Sequence, residues 1–573
     1  MDIIEYITHS CENEHAVVCE NDKISYAELD VISNRVANNL VKKGVLPQDV
    51  IILYMERGIE YIIMLVAVLK VGASFLPVDF QCPVNRLEYI YNDSSAKMIV
   101  SSSATGLNVM EFQIRELLKE STVERKKVIR QENFITYIIY TSGTTGKPKG
   151  VRISDSSVIN LYIGMNEKFA FFNCKKILAS ASFGFDMSIP EVLLSIMSGL
   201  TVVMTSEKFG NNIAYISNII KRNNIDILQI TPSRLKQLMF YDNKLETLKF
   251  VDKLLIGADV LPKDLLYQLQ DLYSGDIYNL YGPTEATVWA TVANVTKSSL
   301  VTVGKELHGV EVFIQTDTNE ITKNAGITGE ILISGAGLAV GYINDEKLNK
   351  RFFFDEKLNK RFYRTGDHGY FEDDGNLICL GRNDRQIKKN GYRIELQEIE
   401  NVISDLEDIK EVVVVCTKED EKIVAYYTTL SGTAINAVGE ELLEYLPEYM
   451  IPDEFVWLKK IPLTTNGKVD RKVLQIQSRK LLVPKYENVK YANDIINIIC
   501  QDVDLNIVPQ DINLEKGIKE CGIDSIQYVK IIISLEEKYA IEFSDDELEI
   551  NFFPTIGNLI DKVKELVEKK NDF

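Results

Sequence analysis

The sequence predicts a large α/β lobe, then a small α+β lobe, then an all-α helical bundle. Three observations carry this. Short apolar runs at 50–55, 97–101, 135–140, 200–204, 225–230 and 253–257 alternate with helical patterns through the first two-thirds of the chain. Strands interleaved with helices build layered α/β domains with much parallel sheet. Beyond residue 382 the order changes to one helix, Leu396–Ser404, and two strands, Ile409–Cys416 and Ile423–Thr429, which suits a small α+β unit. From 491 onward the pattern is helical only, with amphipathic stretches at 492–503, 526–539 and 555–569. That stretch carries 18 acidic and eight basic side chains, more than half of the net charge of −19, and reads as an acidic bundle. The expected domains are 1–382, 383–480 and 492–573, with a linker at 481–491 inside a polar, basic stretch.

At 573 residues the chain has room for about three or four domains of roughly 100–200 residues. Hydrophobic residues make up 46% and charged residues 26%, which excludes collagen-like, mucin-like and wholly disordered chains. The longest apolar run, near 62–69, is far short of the roughly 20 residues of a membrane helix. The N-terminus has neither the basic nor the apolar region of a signal peptide, so a cytoplasmic protein without a membrane partner is expected. Acidic residues number 83 against 64 basic, which disfavours nucleic acid as a partner. The eight cysteines form no C-x-x-C pair and the four histidines no H-E-x-x-H, so reduced thiols and no zinc site are expected. A local repeat, DEKLNKRFF at 345–353 and DEKLNKRFY at 355–363, has too few units for a solenoid and is assigned no function.

The strongest chemical signal is YTSGTTGKPKG at 140–150, directly after an apolar strand. Glycines and hydroxyls in a tight turn offer N–H and O–H donors to phosphate oxygens. It is not a P-loop: two residues rather than four separate Gly143 from Gly146, and Pro148 follows Lys147. A second cluster, GAGLAVGY at 335–342, fails as a dinucleotide fingerprint because its third glycine falls one residue late.

YTSGTTGKPKG resembles the phosphate loop of the adenylate-forming superfamily: acyl-CoA synthetases, luciferases and the adenylation domains of nonribosomal peptide synthetases. Further blocks follow in that family's order: ISYAEL (24–29), LKVGASFLPVD (69–79), FDMS (185–188), NLYGPTE (279–285), GEILISGAGLAVGY (329–342), YRTGD (363–367), GRNDRQIKKNGYRIELQEIE (381–400), LPEYMIP (446–452) and NGKVDRK (466–472). The resemblance spans essentially the first 480 residues. It implies attack of a carboxylate on the α-phosphorus of ATP, giving an acyl-adenylate and pyrophosphate.

By that resemblance Thr141, Ser142, Gly143, Thr144, Thr145 and Lys147 cradle the phosphates, and Glu285 holds Mg²⁺, a hard cation suited to oxygen ligands. Asn279, Tyr281, Gly282 and Thr284 form the nucleotide wall, with Tyr281 stacked on adenine. Asp367 accepts the ribose hydroxyls and Arg382 reaches ribose or phosphate. Lys468 bridges the substrate carboxylate and the α-phosphate, so that Lys468, Glu285 and Thr144 carry catalysis. Asp384 is the hinge about which the small lobe turns, delivering Lys468 for adenylation or the Gly391 loop for thiolation. Cys379 and Asp155 depart from the family pattern, which often has an aromatic residue and a histidine there.

Asp186 in FDMS implies an amino-acid substrate, because a buried ammonium needs a counter-charge. The pocket carried over from the family is Asp186, Met187, Pro190, Gln229, Leu254, Ile256, Leu280, Val288 and Trp289, with Lys468. Apart from Asp186 and Lys468 this wall is apolar with one amide. A neutral side chain is expected, aliphatic or able to hydrogen-bond Gln229, and a β-amino acid fits as well. Trp289 removes volume.

In the tail, CGIDSIQYV at 521–529 resembles the phosphopantetheine attachment site of a peptidyl carrier protein, with Ser525 bearing the arm at a helix start. The implied cofactors are ATP, Mg²⁺ and 4′-phosphopantetheine. The implied partners are a phosphopantetheinyl transferase and downstream enzymes acting on the carrier thioester. No condensation or thioesterase motif is present in the sequence. Two other readings compete: a ligase for an aryl or fatty acid, against which Asp186 and the carrier argue, and a degenerate docking scaffold, against which the intact phosphate loop argues.

Overall fold

The computed structural model describes residues 2–9, 14–119, 122–124, 128–131, 133–143, 147–171, 174–206, 212–382, 386–389, 391–417, 422–431, 438–458, 460–462, 469, 471, 473–475, 495, 525–539, 541, 543–544, 547, 552–553 and 555–571. Two compact units result, Met1–Ile461 and Pro462–Phe573.

The large unit is built on two sheets of mostly parallel strands. One has seven strands, and its parallel centre runs Ile135–Thr141, Ser74–Pro77, Val50–Tyr54, Met98–Ser101, Glu111–Gln113. Lys149–Ser154 turns back antiparallel on Ile135–Thr141. The other has nine strands, with Asp276–Tyr281, Lys253–Ile256, Ile227–Ile230, Lys176–Ala179, Thr201–Met204 and Val17–Cys19 parallel in that order. Helix Ile59–Lys70 touches strands of both sheets and is buried along every residue from Tyr61 to Lys70. A helix apolar nearly all round belongs inside a core. Its one buried charge, Lys70 Nζ, is satisfied by Asp30 Oδ1 at 2.6 Å, Ser33 Oγ at 2.8 Å and Asn34 Oδ1 at 2.8 Å. These acceptors lie on helix Tyr26–Lys42, which starts at a capping box made by Ser25 and Glu28.

A six-stranded antiparallel sheet follows, ending in Lys360–Phe371 and Leu377–Arg382. Then come the hairpin Gln386–Lys389 with Tyr392–Glu395, helix Leu396–Ser404, and the sheet Ile409–Cys416, Ile423–Thr429, Glu454–Trp457. In the second unit, helices Ser525–Tyr539 and Ile556–Asn571 stand where two helical patterns were expected. The first expected helix, 492–503, and the linker 481–491 lie outside the described residues except Ile495. After Asp186 the chain forms a π-helical turn, Pro190–Leu194, running into Ser195–Met197. No helix among the described residues is long and apolar enough to cross a membrane.

Candidate active site

The site forms where parallel strands of both sheets end, the usual ligand position in open α/β sheets. Ile135–Thr141 runs into the phosphate loop, Asp276–Tyr281 into Gly282–Glu285, and Ile227–Ile230 into Thr231. Gly282 is required there, because a Cβ would stand 2.4 Å from Val288 O.

On the phosphate side, Thr141 Oγ1 and Lys149 Nζ are buried with no hydrogen-bond partner. Lys147 does not face this space. It is exposed, with Nζ 5.6 Å from the ring centre of Tyr89. The antiparallel return strand turns the next lysine inward instead, and Lys149 Nζ lies 3.9 Å from Glu285 Oε1. Burial, together with Arg393 nearby, pushes the Lys149 ammonium down to about 7. Glu285 is wholly buried and accepts from Tyr342 OH at 2.6 Å and Arg393 Nη1 at 2.8 Å. Burial would raise its carboxyl, but Arg393 and Lys149 hold it well below the usual range. Thr144, Thr145, Asp384 and Lys468 lie outside the described residues.

On the nucleoside side, Tyr281 OH donates to Asp367 Oδ2 at 2.7 Å and Arg382 Nη1 to Asp367 Oδ1 at 3.2 Å. Asn279 is buried and donates to Thr302 O at 2.8 Å. Cys379 lies close to Asp367, and burial pushes its thiol up to about 11. Asp155, the other departure, is a structural ion: Arg130 Nε and Nη2 donate to it at 2.6 and 2.8 Å, and Thr136 Oγ1 at 2.5 Å.

Asp186 is half-buried and accepts from Thr284 Oγ1 at 2.5 Å. Thr284 thus orients the acid pocket rather than standing only on the nucleotide wall. Burial raises the Asp186 carboxyl, and no ion pair to it occurs among the described residues. Met187, Pro190, Leu280, Val288 and Trp289 are buried. Leu254 and Ile256 are not beside Gln229. Strand alternation pairs Gln229 with Leu255, and Leu254 and Ile256 join a separate core with Leu228, Ile230 and Leu235 behind the sheet. A second carboxylate, Glu191, does adjoin the pocket, hydrogen-bonded to Gln229 at 3.1 Å. Thr287 and Val288 take φ of 58° and 67°. Two successive β-branched residues in the left-handed region are a strained arrangement, of the kind that clusters at functional sites.

The small lobe closes on this site. Gly391 needs its glycine twice over: φ is 85°, and a Cβ would stand 2.7 Å from Thr231 Cγ2. Two residues on, Arg393 reaches Glu285, while Ser142 Oγ donates to Arg393 O at 2.7 Å. Gly143 N donates to Glu398 Oε2 at 3.0 Å, and Arg86 Nη1 to Glu398 Oε1 at 2.6 Å. Between the lobes lies a cavity of about 450 Å³, bounded by Gly391 and Tyr392 on one side and by Met187, Glu191 and Gln229 on the other. Lys149, Glu191, Arg393 and Glu398 were not singled out from the sequence. All four sit inside or beside recognised blocks, but only the folded register shows which of several charged neighbours turns inward.

Fold and site together define an adenylate-forming enzyme joined to a carrier domain. The chain matches the family model for AMP-binding enzymes over residues 6–343 and that for their C-terminal domain over 398–468. It matches the phosphopantetheine attachment site over 493–563. It belongs to the AMP-binding enzyme family. It is 33% identical over 483 residues to a dimodular nonribosomal peptide synthase of Bacillus subtilis, covering 80% of this chain and 20% of that one. It is 32% identical over 490 residues to zwittermicin A synthase ZmaJ of Bacillus cereus, covering 81% and 92%. Among solved structures, holo-PA1221, a nonribosomal peptide synthetase protein with adenylation and carrier domains, superposes with a TM-score of 0.75 at 20% identity, covering 99% and 98%.

The protein uses ATP with Mg²⁺ and carries 4′-phosphopantetheine. The residues present fit these groups. Thr141 Oγ1 and Lys149 Nζ are unpartnered donors suited to phosphate oxygens. Glu285 is a lone buried carboxylate, and Mg²⁺ in nucleotide sites commonly takes one or two carboxylates together with substrate phosphates.

Proposed function

We propose that this chain activates a neutral amino acid as its aminoacyl-adenylate and loads it as a thioester on the carrier, through Ser525, within nonribosomal peptide or related biosynthesis in the cytoplasm. The observation that carries the substrate class is Asp186: half-buried, oriented by Thr284, and in no ion pair among the described residues. A buried carboxylate is costly unless paired, and the α-ammonium of an amino acid supplies the pair.

In the first step a substrate carboxylate oxygen attacks the α-phosphorus, and the bond from that phosphorus to pyrophosphate breaks. Asp186 fixes the ammonium end, Lys149 and Thr141 face the phosphates, and Asp367 takes the ribose hydroxyls. Lys468 steadies the charge that develops between carboxylate and α-phosphate. Glu285 would hold Mg²⁺, which would offset charge on the leaving pyrophosphate. In the second step the acyl group would pass from the adenylate to the thiol of an arm on Ser525, the bond to phosphate breaking and AMP leaving. The closed lobe, with Gly391 against Thr231 beside the cavity, supports this as the arrangement for loading. Domain limits at 382, 480 and 491, with the hinge at Asp384, complete the reading, as do a phosphopantetheinyl transferase and downstream enzymes as partners.

The test is ATP–pyrophosphate exchange on the full chain across proteinogenic, β-amino, aryl and fatty acids. Exchange with an amino acid, lost in Lys468→Ala and weakened at least about tenfold in Asp186→Ala, is expected, since a charged hydrogen bond contributes about 1.5–3 kcal/mol. Ser525→Ala should keep exchange and lose loading. Exchange only with amine-free acids refutes the reading.

A further inference from the structure

The floor of the acid pocket is a closed chain of hydrogen bonds. Gln229 Nε2 donates to Met187 O at 2.8 Å and to Glu191 Oε1 at 3.1 Å. Trp289 Nε1 donates to Gln229 Oε1 at 3.2 Å. Glu191 Oε2 accepts from Ser180 N at 2.8 Å and Ala181 N at 2.9 Å. Gln229, Glu191 and Trp289 are 1%, 1% and 2% exposed, so water does not substitute for these partners.

The orientation of the Gln229 amide is fixed by its neighbours. A backbone carbonyl can only accept and an indole N–H can only donate, so the nitrogen must face Met187 and the oxygen must face Trp289. Both amide hydrogens are then spent. So are the indole N–H and the two backbone N–H groups on Glu191. What remains is acceptor capacity alone: one lone pair on Gln229 Oε1 and one site on Glu191 Oε1. While Glu191 is ionised, these groups can receive a hydrogen bond and cannot give one; burial pushes its carboxyl up to about 7, so this holds on the alkaline side of that value.

We propose that Glu191, acting through Gln229 and Trp289, makes this pocket select a neutral amino acid whose short side chain ends in a hydroxyl. The inference rests on the amino-acid reading above and narrows it. A hydroxyl needs one acceptor for its single hydrogen. An ammonium needs three, more than the floor leaves free. A carboxylate meets no donor on Gln229, Trp289 or an ionised Glu191. An aliphatic side chain leaves the Gln229 lone pair facing a methyl group. Trp289 takes up volume at this floor and has little room to swing aside, since a Cβ on Gly257 would meet its Cη2 at 2.5 Å. Glu191 is a positioning residue, holding the amide in the one orientation that presents oxygen.

The test measures kcat/KM in amino-acid-dependent ATP–pyrophosphate exchange with the full chain. Substrates are compared as pairs that differ only by hydroxyl against methyl: serine with 2-aminobutyrate, threonine with valine, homoserine with norvaline. The hydroxyl member of the best-accepted pair should win by about tenfold or more, since sites built to hydrogen-bond a substrate hydroxyl discriminate more strongly than apolar ones. Gln229→Leu should bring that ratio to about one or invert it. Glu191→Gln should lower the ratio more than it lowers the rate with the methyl member, because an amide cannot accept on both of its ends. Trp289→Phe frees a second lone pair on Gln229 and should keep the hydroxyl preference, so the proposal stays testable if Gln229→Leu does not fold. A methyl preference in the wild type, a ratio unmoved by Gln229→Leu, or a better rate with 2,3-diaminopropionate than with serine overturns it. Exchange with amino acids but no hydroxyl preference sinks this inference alone. Exchange only with amine-free acids sinks the amino-acid reading and this inference with it.

Discussion

Replacing Arg393 with alanine should separate the two half-reactions. In the closed arrangement its guanidinium donates to both oxygens of Glu285, at 2.8 and 3.0 Å, and the Glu285 side chain is fully buried. Removing one partner of a buried pair costs about 3–5 kcal/mol. Tyr342 OH at 2.6 Å and Lys149 Nζ at 3.9 Å remain near Glu285, which argues for the lower end. At 1.4 kcal/mol per tenfold, ~3 kcal/mol shifts the closed population by roughly 100-fold. On the role proposed for Glu285, the same carboxylate would serve Mg²⁺ during adenylation, in competition with Arg393. Single-turnover loading of labelled amino acid onto the carrier, divided by the exchange rate of the same preparation, should therefore fall about 100-fold. Arg393→Lys should fall between the two, since an ammonium lacks the planar fork. Equal losses in loading and exchange, or an unchanged ratio, would refute the assignment of this contact to the loading arrangement.

Two other outcomes follow from the same geometry. Gly391→Ala meets both a positive φ and a Cβ 2.7 Å from Thr231 Cγ2, so the closed lobe must shift; loading should drop by about ten- to 100-fold, at about 1–3 kcal/mol of strain, with exchange much less affected, and comparable losses in both assays would contradict it. Asp155→Ala leaves Arg130 buried beneath Leu69 O and Ala73 O without its counter-charge. A loss of about 3–5 kcal/mol should lower the denaturant midpoint of the large unit, and an unchanged midpoint would show that the pair carries no stability.

Much of this molecule was legible in its sequence. The six strand runs appear within one to three residues of their expected bounds, because β-branched apolar runs between turns have few other solutions. Three elements of the small lobe, Leu396–Ser404, Ile409–Cys416 and Ile423–Thr429, stand on their expected limits. What sequence could not decide was facing. Lys147 and Lys149 are two residues apart in one motif, and only the turn-and-return of the strand shows that Lys149 faces inward. Leu254 and Ile256 are a one-residue register question, and one residue moves a strand side chain to the other face. The repeat is the sharpest case. In the first copy Asp345 caps a helix, Glu346–Asn349, and Leu348 is buried. In the second, Asp355 accepts from Leu358 N at 2.9 Å in the same way, yet Leu358 is exposed and the chain turns at Asn359, φ 51°, into strand Lys360–Phe371. Identical residues make a helix where a core awaits Leu348, and a hairpin where the preceding Phe352–Asp355 offers a strand to pair with.

The loop holding Thr287 and Val288 in left-handed backbone conformation bears on how this protein could be engineered. Each such residue stores of order 1–3 kcal/mol that the surrounding fold must supply. Glycine at either position would relax that conformation but give up as much or more, because Thr287 Oγ1 donates to Gly337 O at 2.7 Å and Val288 is 1% exposed. A library selected for heat resistance alone should thus keep both residues, and changes collected here under selection for a different acid should lower durability, so selection on this loop needs a stability screen run alongside.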